Sequence, residues 1–195
     1  MQSKPIFLST DTTSLAGKML VATPAIEDSP FCRSVIYMCV HNAEGAMGII
    51  TNVPVATVKL KEIFDQLDID TGLKLPDLPV HFGGPVESYR GFVMHSAEHT
   101  PQDALYASDG IVVSASVNIL QKIANGEGPE KGLLMLGYAG WSAGQLEQEI
   151  EGGSWLVAPA SRKLVFETPN DSKWAVATAS LGFDMGHFST QVGHA

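Results

Sequence analysis

Apolar residues fall along this chain mostly in short runs of strand length, separated by glycine, proline and small polar residues. The first strand is predicted at Lys18–Ala22, stopped by Pro24. Residues 34–41 are apolar on both faces and predict a central strand. Asn42-Ala43-Glu44-Gly45 is a hairpin-length connection into a returning strand over residues 46–52, which Pro54 ends. Further strands are expected at Val80–Phe82, Ile111–Ser114 and residues 89–95, 133–136, 155–157 and 164–167, with 96–109 as a loop. In 89–95, alternation puts Phe92 and Met94 on the face of Arg90, and Val93 on the face of His95.

Helical periodicity is clearest at Leu60, Ile63, Phe64 and Leu67, with Thr57 as the expected N-cap and Gly72 past the end. A second helix is expected after Ser116, turning Ile119, Leu120 and Ile123 inward and ending at Asn125-Gly126. Asp171 is the expected cap of a final helix carrying Trp174, Val176 and Leu181.

Residues 131–158 read as one unit of strand, short helix and strand. Leu133 to Leu136 is an apolar run bounded by Gly132 and Gly137. Ser142 with Gln145 has capping-box spacing, and Trp141 with Leu146 has that of a hydrophobic staple. Leu146 and Ile150 share a helix face, and Gly152-Gly153 ends the helix. Hairpin-spaced strands interleaved with about four short helices make the fold class α+β. The expectation is a single domain over residues 1–195 with a mixed, mostly antiparallel sheet, a loose lead-in over 1–14 and a weakly ordered tail over 183–195. Early strands connect too tightly for helical crossovers, which counts against a wholly parallel sheet.

Composition narrows the partners. A chain of 195 residues buries roughly 70% of its unfolded surface, so the core needs no metal or disulfide to support it. A formal net charge of -9 and three scattered arginines, Arg33, Arg90 and Arg162, count against direct nucleic-acid binding, which needs a clustered positive field. Cys32 and Cys39, if in one strand, lie on opposite faces about 23 Å apart. They are expected to be buried free thiols of a reducing compartment. With no apolar run of signal-peptide or transmembrane length, the expected location is cytoplasmic, with no membrane partner.

Two motifs carry candidate chemistry. Gly140-Trp141-Ser142-Ala143-Gly144 matches a nucleophile elbow between strand and helix, and Asp171 or Asp184 followed by His187 or His194 supplies the order Ser, acid, base. The capping box already accounts for Ser142 and Gln145, so catalysis through Ser142, Asp171 and His187 is the alternative reading. His95-Ser96-Ala97-Glu98-His99 has zinc-protease spacing, but His95 ends a strand rather than sharing a helix face with His99, so no metal is expected. No cofactor motif is present either: Gly83-Gly84-Pro85-Val86 lacks the lysine and hydroxyl of a P-loop.

Several spaced segments carry a family likeness. They are Leu-Ala-Gly-Lys-Met-Leu-Val-Ala-Thr-Pro at 15–24, Phe-Cys-Arg-Ser-Val-Ile at 31–36, Met-Gly-Ile-Ile-Thr-Asn at 47–52, Gly-Gly-Pro-Val at 83–86 and Arg-Gly-Phe-Val-Met-His at 90–95. Most specific is Gly137-Tyr138-Ala139-Gly140-Trp141 followed by Gly144-Gln145-Leu146-Glu147 and Trp155-Leu156. With these the sequence resembles the YqgE/AlgH family of small bacterial proteins over nearly its whole length. The resemblance implies one α+β domain with a barrel-like sheet, and a transcriptional-regulator label that derives from genetic context rather than from a site. The family pattern usually has glycine where Ser142 stands, so no nucleophile is carried over. The reading that follows is a non-enzymatic regulatory or binding protein with an unknown protein or small-ligand partner. The expected ligand-binding residues are those of the glycine-rich strand ends, Gly83, Gly84, Gly137, Tyr138, Gly140 and Trp141, with Arg90 and His95 nearby.

Overall fold

The structure, a computed structural model, describes residues 14–27, 29–72, 75–98 and 104–182. Along it run β1 (Lys18–Ala22), β2 (Val35–Asn42), β3 (Gly45–Ile50), α1 (Leu60–Gln66), β4 (Val80–Phe82), β5 (Val86–Ser96), β6 (Ala104–Ser108) and β7 (Ile111–Ser114). There follow α2 (Val117–Ala124), β8 (Gly132–Ser142), α3 (Gln145–Glu151), β9 (Trp155–Pro159), a π-helical turn (Lys163–Glu167) and α4 (Asn170–Ala179). The fold is α+β, as the hairpin spacing implied.

The sheet runs in the order β6-β7-β5-β8-β3-β2-β1-β9, every neighbour antiparallel, while β4 lies parallel to β8 off this path. In a flat sheet strands five places apart would be separated by about 24 Å. Yet β6 approaches β2, so the sheet curls round an interior without closing into a barrel. Met19, Tyr37, Ile49, Met94, Val113, Met135 and Ala158, from seven strands, share that interior with Val165 of the π-helical turn and Ala177 of α4. Outside, Leu146 of α3 packs with Ile36, Trp141 and Trp155. On the other part of the outer face Leu60 and Phe64 of α1 and Ile119 and Leu120 of α2 cover Val80, Val93 and Leu134. Phe64 is fully buried there, and removing its ring would cost about 3–5 kcal/mol.

The long β8 joins the two parts of the sheet. Its first half lies between β5 and β4, and its second half pairs with β3. The joint is Gly137, whose φ of 73° kinks the strand. The apolar run bounded by Gly132 and Gly137 is thus only the first half of a strand that continues to Ser142.

Several local expectations are corrected. The presumed loop 96–109 contains β6. Residues 164–167 form no strand. Ser161 Oγ accepts the Leu164 N–H, the Thr168 N–H reaches back to the Lys163 carbonyl, and Leu164 and Val165 enter the core from the π-helical turn. A short apolar run has no period that separates the two outcomes. Lys59, not Thr57, precedes α1, and Pro169, not Asp171, precedes α4. Ser116 does cap α2, accepting the Asn118 N–H. In α4 the buried positions are Lys173, Ala177 and Thr178, while Val176 is exposed. Cys32 lies outside β2 and is exposed, whereas Cys39 is buried, with burial pushing its thiol up to about 12.

Candidate functional site

Between the pairs Val86↔Tyr138 and Gly91↔Leu136, β5 carries Glu87, Ser88, Tyr89 and Arg90 where β8 has only Gly137. The excess bulges outward. Glu87 takes a left-handed φ of 45° to start it, and Tyr89 stands 87% exposed on it. Arg90 Nη1 donates to Glu87 Oε2 at 2.9 Å and its guanidinium lies 5.2 Å from the centre of the Phe92 ring. Phe92 in turn meets Tyr138 edge to face at 6.0 Å. Both charges of the pair are partly exposed, so its value is orientation of the bulge more than stability.

The glycines beneath allow backbone to touch backbone. A methyl group on Gly83 would strike the Gly137 carbonyl, on Gly84 the Tyr138 backbone, and on Gly137 the Gly84 carbonyl. The Gly83 amide is not free for an anion, because it donates to the Leu136 carbonyl at 2.8 Å. Gly140 is different: a methyl there would meet the Tyr138 ring at an ordinary 3.5 Å. Gly83, Gly84, Arg90, Gly137, Tyr138 and Gly140 are therefore brought together around the bulge. Two expected members lie elsewhere. His95 is fully buried toward the other end of β5, with Nδ1 against the Ser96 carbonyl at 2.9 Å and Nε2 against Ser114 Oγ at 3.0 Å. Trp141 projects to the opposite face of β8 from Tyr138 and Gly140.

The elbow motif has a different geometry from the one its spacing suggests. Ser142 is the last residue of β8, and Gly144, with φ of 74°, precedes α3 without a side-chain cap. Of the capping box one half exists: the Ser142 N–H donates to Gln145 Oε1 at 3.0 Å. The serine hydroxyl does not cap; it donates to the same carboxamide oxygen at 3.1 Å. Gly144 takes over because glycine reaches the left-handed turn without strain. The glycine end expected for α3 is present and takes the form of a Schellman closure, with the Gly153 N–H bound to the Ile150 carbonyl and that of Ser154 to the Glu149 carbonyl. Asp171 sits in the first turn of α4, accepting from the Ser172 hydroxyl, and Asp184, His187, His194 and His99 lie outside the described residues. Among the described residues no group of three or more His, Cys, Asp or Glu side chains could hold a metal ion, and no helix is long and apolar enough to cross a membrane.

Three polar arrangements had no sequence signal. Glu149 Oε2 accepts both the Trp141 and Trp155 indole N–H groups at 2.8 Å, and Gln145 Nε2 donates to its other oxygen at 2.9 Å. His41 accepts the Leu15 N–H at Nδ1, so its proton sits on Nε2 and is donated to Glu147 at 2.8 Å. The Glu147 carboxyl is held below its usual range by its own backbone N–H and by His41. Lys173, 2% exposed, donates to the Thr51 carbonyl at 2.7 Å, and burial lowers its amine to about 8. Nearby His81 is lowered by burial and by the Lys173 charge, and its Nε2 faces the Asn170 carboxamide. Apart from the Gln145–Glu149 bond, one turn apart on α3, these contacts join residues that only the folded chain brings together.

The model of the AlgH-like family matches residues 19–186. A UPF0301 protein of Methylobacterium nodulans is 49% identical over 189 residues, taking in 93% of this chain and 90% of its own length. Another, from Thioalkalivibrio sulfidiphilus, is 42% identical over 186 residues, 95% of this chain and 100% of its own. Among solved structures, the solution structure of the AlgH protein from Pseudomonas aeruginosa matches with a TM-score of 0.75 at 36% identity, covering 97% of this chain and 100% of that one. Protein DIP2367 from Corynebacterium diphtheriae, at 24% identity and a TM-score of 0.65 over 84% of this chain and 86% of its own, shares the fold. With the family model matching residues 19–186 and 49% identity to a relative matched over 90% of its length, the chain belongs to the AlgH-like family.

Proposed function

We propose that this chain is a non-enzymatic, cytoplasmic regulatory protein that binds a protein partner through the β5 bulge. The observation that carries the reading is Tyr89, a large aromatic held 87% exposed beside the Glu87–Arg90 pair. Tyrosine and arginine are, with tryptophan, the side chains most enriched at the energetic centre of protein interfaces. The close-packed glycines Gly83, Gly84 and Gly137 fix the platform beneath, so little ordering is left to do on binding. A protein suits this surface better than a nucleic acid: Arg90 is engaged by Glu87, Arg162 by Glu98 and Glu130, and Arg33 lies over Trp174. The free thiols Cys32 and Cys39 favour a reducing compartment. The serine-hydrolase alternative is weaker, since the Ser142 hydroxyl is spent on Gln145.

A photo-crosslinking phenylalanine analogue at position 89, introduced in living cells, tests the proposal. The expected result is one discrete adduct whose purified partner binds the wild type, with Tyr89→Ala and Arg90→Ala each weakening binding at least about tenfold. Unchanged binding by variants that melt like the wild type would refute it.

A further inference from the structure

A second feature, independent of the bulge, lies where the β2–β3 hairpin meets the segment leading into β1. A cavity of about 390 Å³ opens there, within the size range of small-ligand sites. Its apolar wall comes from Ala16, Val40 and Ala43, and at its deep end Cys39 belongs to the interior cluster of the curled sheet. Burial keeps that thiol protonated, so the floor carries no charge. Several polar groups of the wall are already internally bonded. His41 is fixed by Leu15 and Glu147, the Ser14 hydroxyl donates to the His41 carbonyl at 3.0 Å, and the Asn42 side-chain oxygen accepts the Glu44 N–H at 2.8 Å.

One charged group at the rim of the cavity, exposed to solvent, is left without an ion-pair partner. The Glu44 carboxylate lines it on the hairpin turn, and among the described residues no cation pairs with it. No lysine or arginine lines the cavity among those residues either, so none of them would offset the charge of an anionic ligand. An apolar chamber with a carboxylate at its mouth complements one kind of molecule. We propose that this cavity binds a small amphiphilic cation, its hydrocarbon body against Ala16, Val40 and Cys39 and its ammonium group at Glu44. The hydrocarbon supplies most of the driving force through burial, and the carboxylate selects the charge.

Titration of the full chain with hexylammonium, hexanol and hexanoate, followed by amide chemical shifts, tests this. Hexylammonium is expected to shift the amides of residues 39–44 and to bind about two- to fivefold more tightly than hexanol, with hexanoate weaker still. Added salt should narrow the gap between ammonium and alcohol. Glu44→Gln should bring ammonium binding down to the alcohol's level, and Ala16→Phe, which fills the chamber, should remove both. Tyr89→Ala should bind hexylammonium as the wild type does, which keeps this test separate from that of the bulge. Absent binding, hexanoate equal to hexylammonium, an indifferent Glu44→Gln, or shifts confined to other residues would each overturn the proposal.

Discussion

Glu149 ties α3 to the sheet, and removing its carboxylate should be costly for a reason that can be counted. One oxygen accepts the indole N–H of both Trp141 and Trp155, rings that are 7% and 3% exposed and meet edge to face at 6.0 Å. Glu149→Ala leaves both donors buried without a partner. Each such donor costs about 1–3 kcal/mol, less where water can enter the space vacated by the side chain. Glu149 itself is only partly buried, so water will recover some of the loss. The expected destabilisation is therefore about 2–4 kcal/mol. Glu149→Gln should cost less, about 1 kcal/mol: a carboxamide oxygen can still accept from the two indoles, and the cost comes from its –NH2 group opposing the Gln145 Nε2 donor. Equilibrium unfolding in guanidinium, followed by far-ultraviolet circular dichroism rather than by the tryptophans themselves, gives both values. A loss below about 0.5 kcal/mol for Glu149→Ala, or a greater loss for glutamine than for alanine, would refute the account.

Lys173 makes a prediction about pH. Its folded value of about 8 lies below its ordinary 10.5, so between them the unfolded chain binds more protons and stability should rise with pH, by up to about 3 kcal/mol in all. Cys39, raised from 9.0 to about 12, acts oppositely, so the quantity to measure is the difference between wild type and Lys173→Met across pH 8–10.5; a flat difference would contradict the burial of the amine. Gly137→Ala forces a side chain into a left-handed kink and against the Gly84 carbonyl, and should cost more than about 2 kcal/mol or abolish folding, whereas Gly140→Ala should stay within about 1 kcal/mol. Thermal melts of the two variants check this. Ser142→Ala loses one exposed hydrogen bond and should change stability by less than about 1 kcal/mol. A fluorophosphonate probe should label neither it nor the wild type, and labelling of the wild type alone would restore the hydrolase reading.

What the sequence discloses here is what neighbours in sequence decide. Strands at Lys18–Ala22, Val80–Phe82 and Ile111–Ser114, each short and mostly apolar, form with the bounds expected, and Ser116 caps α2. Several local caps fail too, but the larger failures come where a distant partner decides. Lys173 is buried because the Thr51 carbonyl, 122 residues away in sequence, receives it; a helical pattern alone would expose it. Gly137 reads as the end of a strand until β3 is present to take up the second half of β8. Around the candidate site, clustering of Gly83, Gly84, Gly137 and Arg90 follows from glycine-rich strand ends meeting. The bulge that displays Tyr89 does not, because plain alternation through 89–95 is equally compatible with a regular strand. Only the register against β8 reveals the surplus residues.

Among the described residues the unclosed sheet ends its main strand order at two margins where a foreign strand could add, β6 and β9. Parity fixes what β9 offers there. The Thr23 N–H donates to the Ser154 carbonyl and Leu156 lies opposite Val21, so the backbone groups of Trp155, Val157 and Pro159 turn away from β1. Proline has no N–H, so the margin loses a donor where β9 ends. A short border that cannot supply a full ladder is a poor template for stacking one molecule on the next, which protects this chain from self-association through that side.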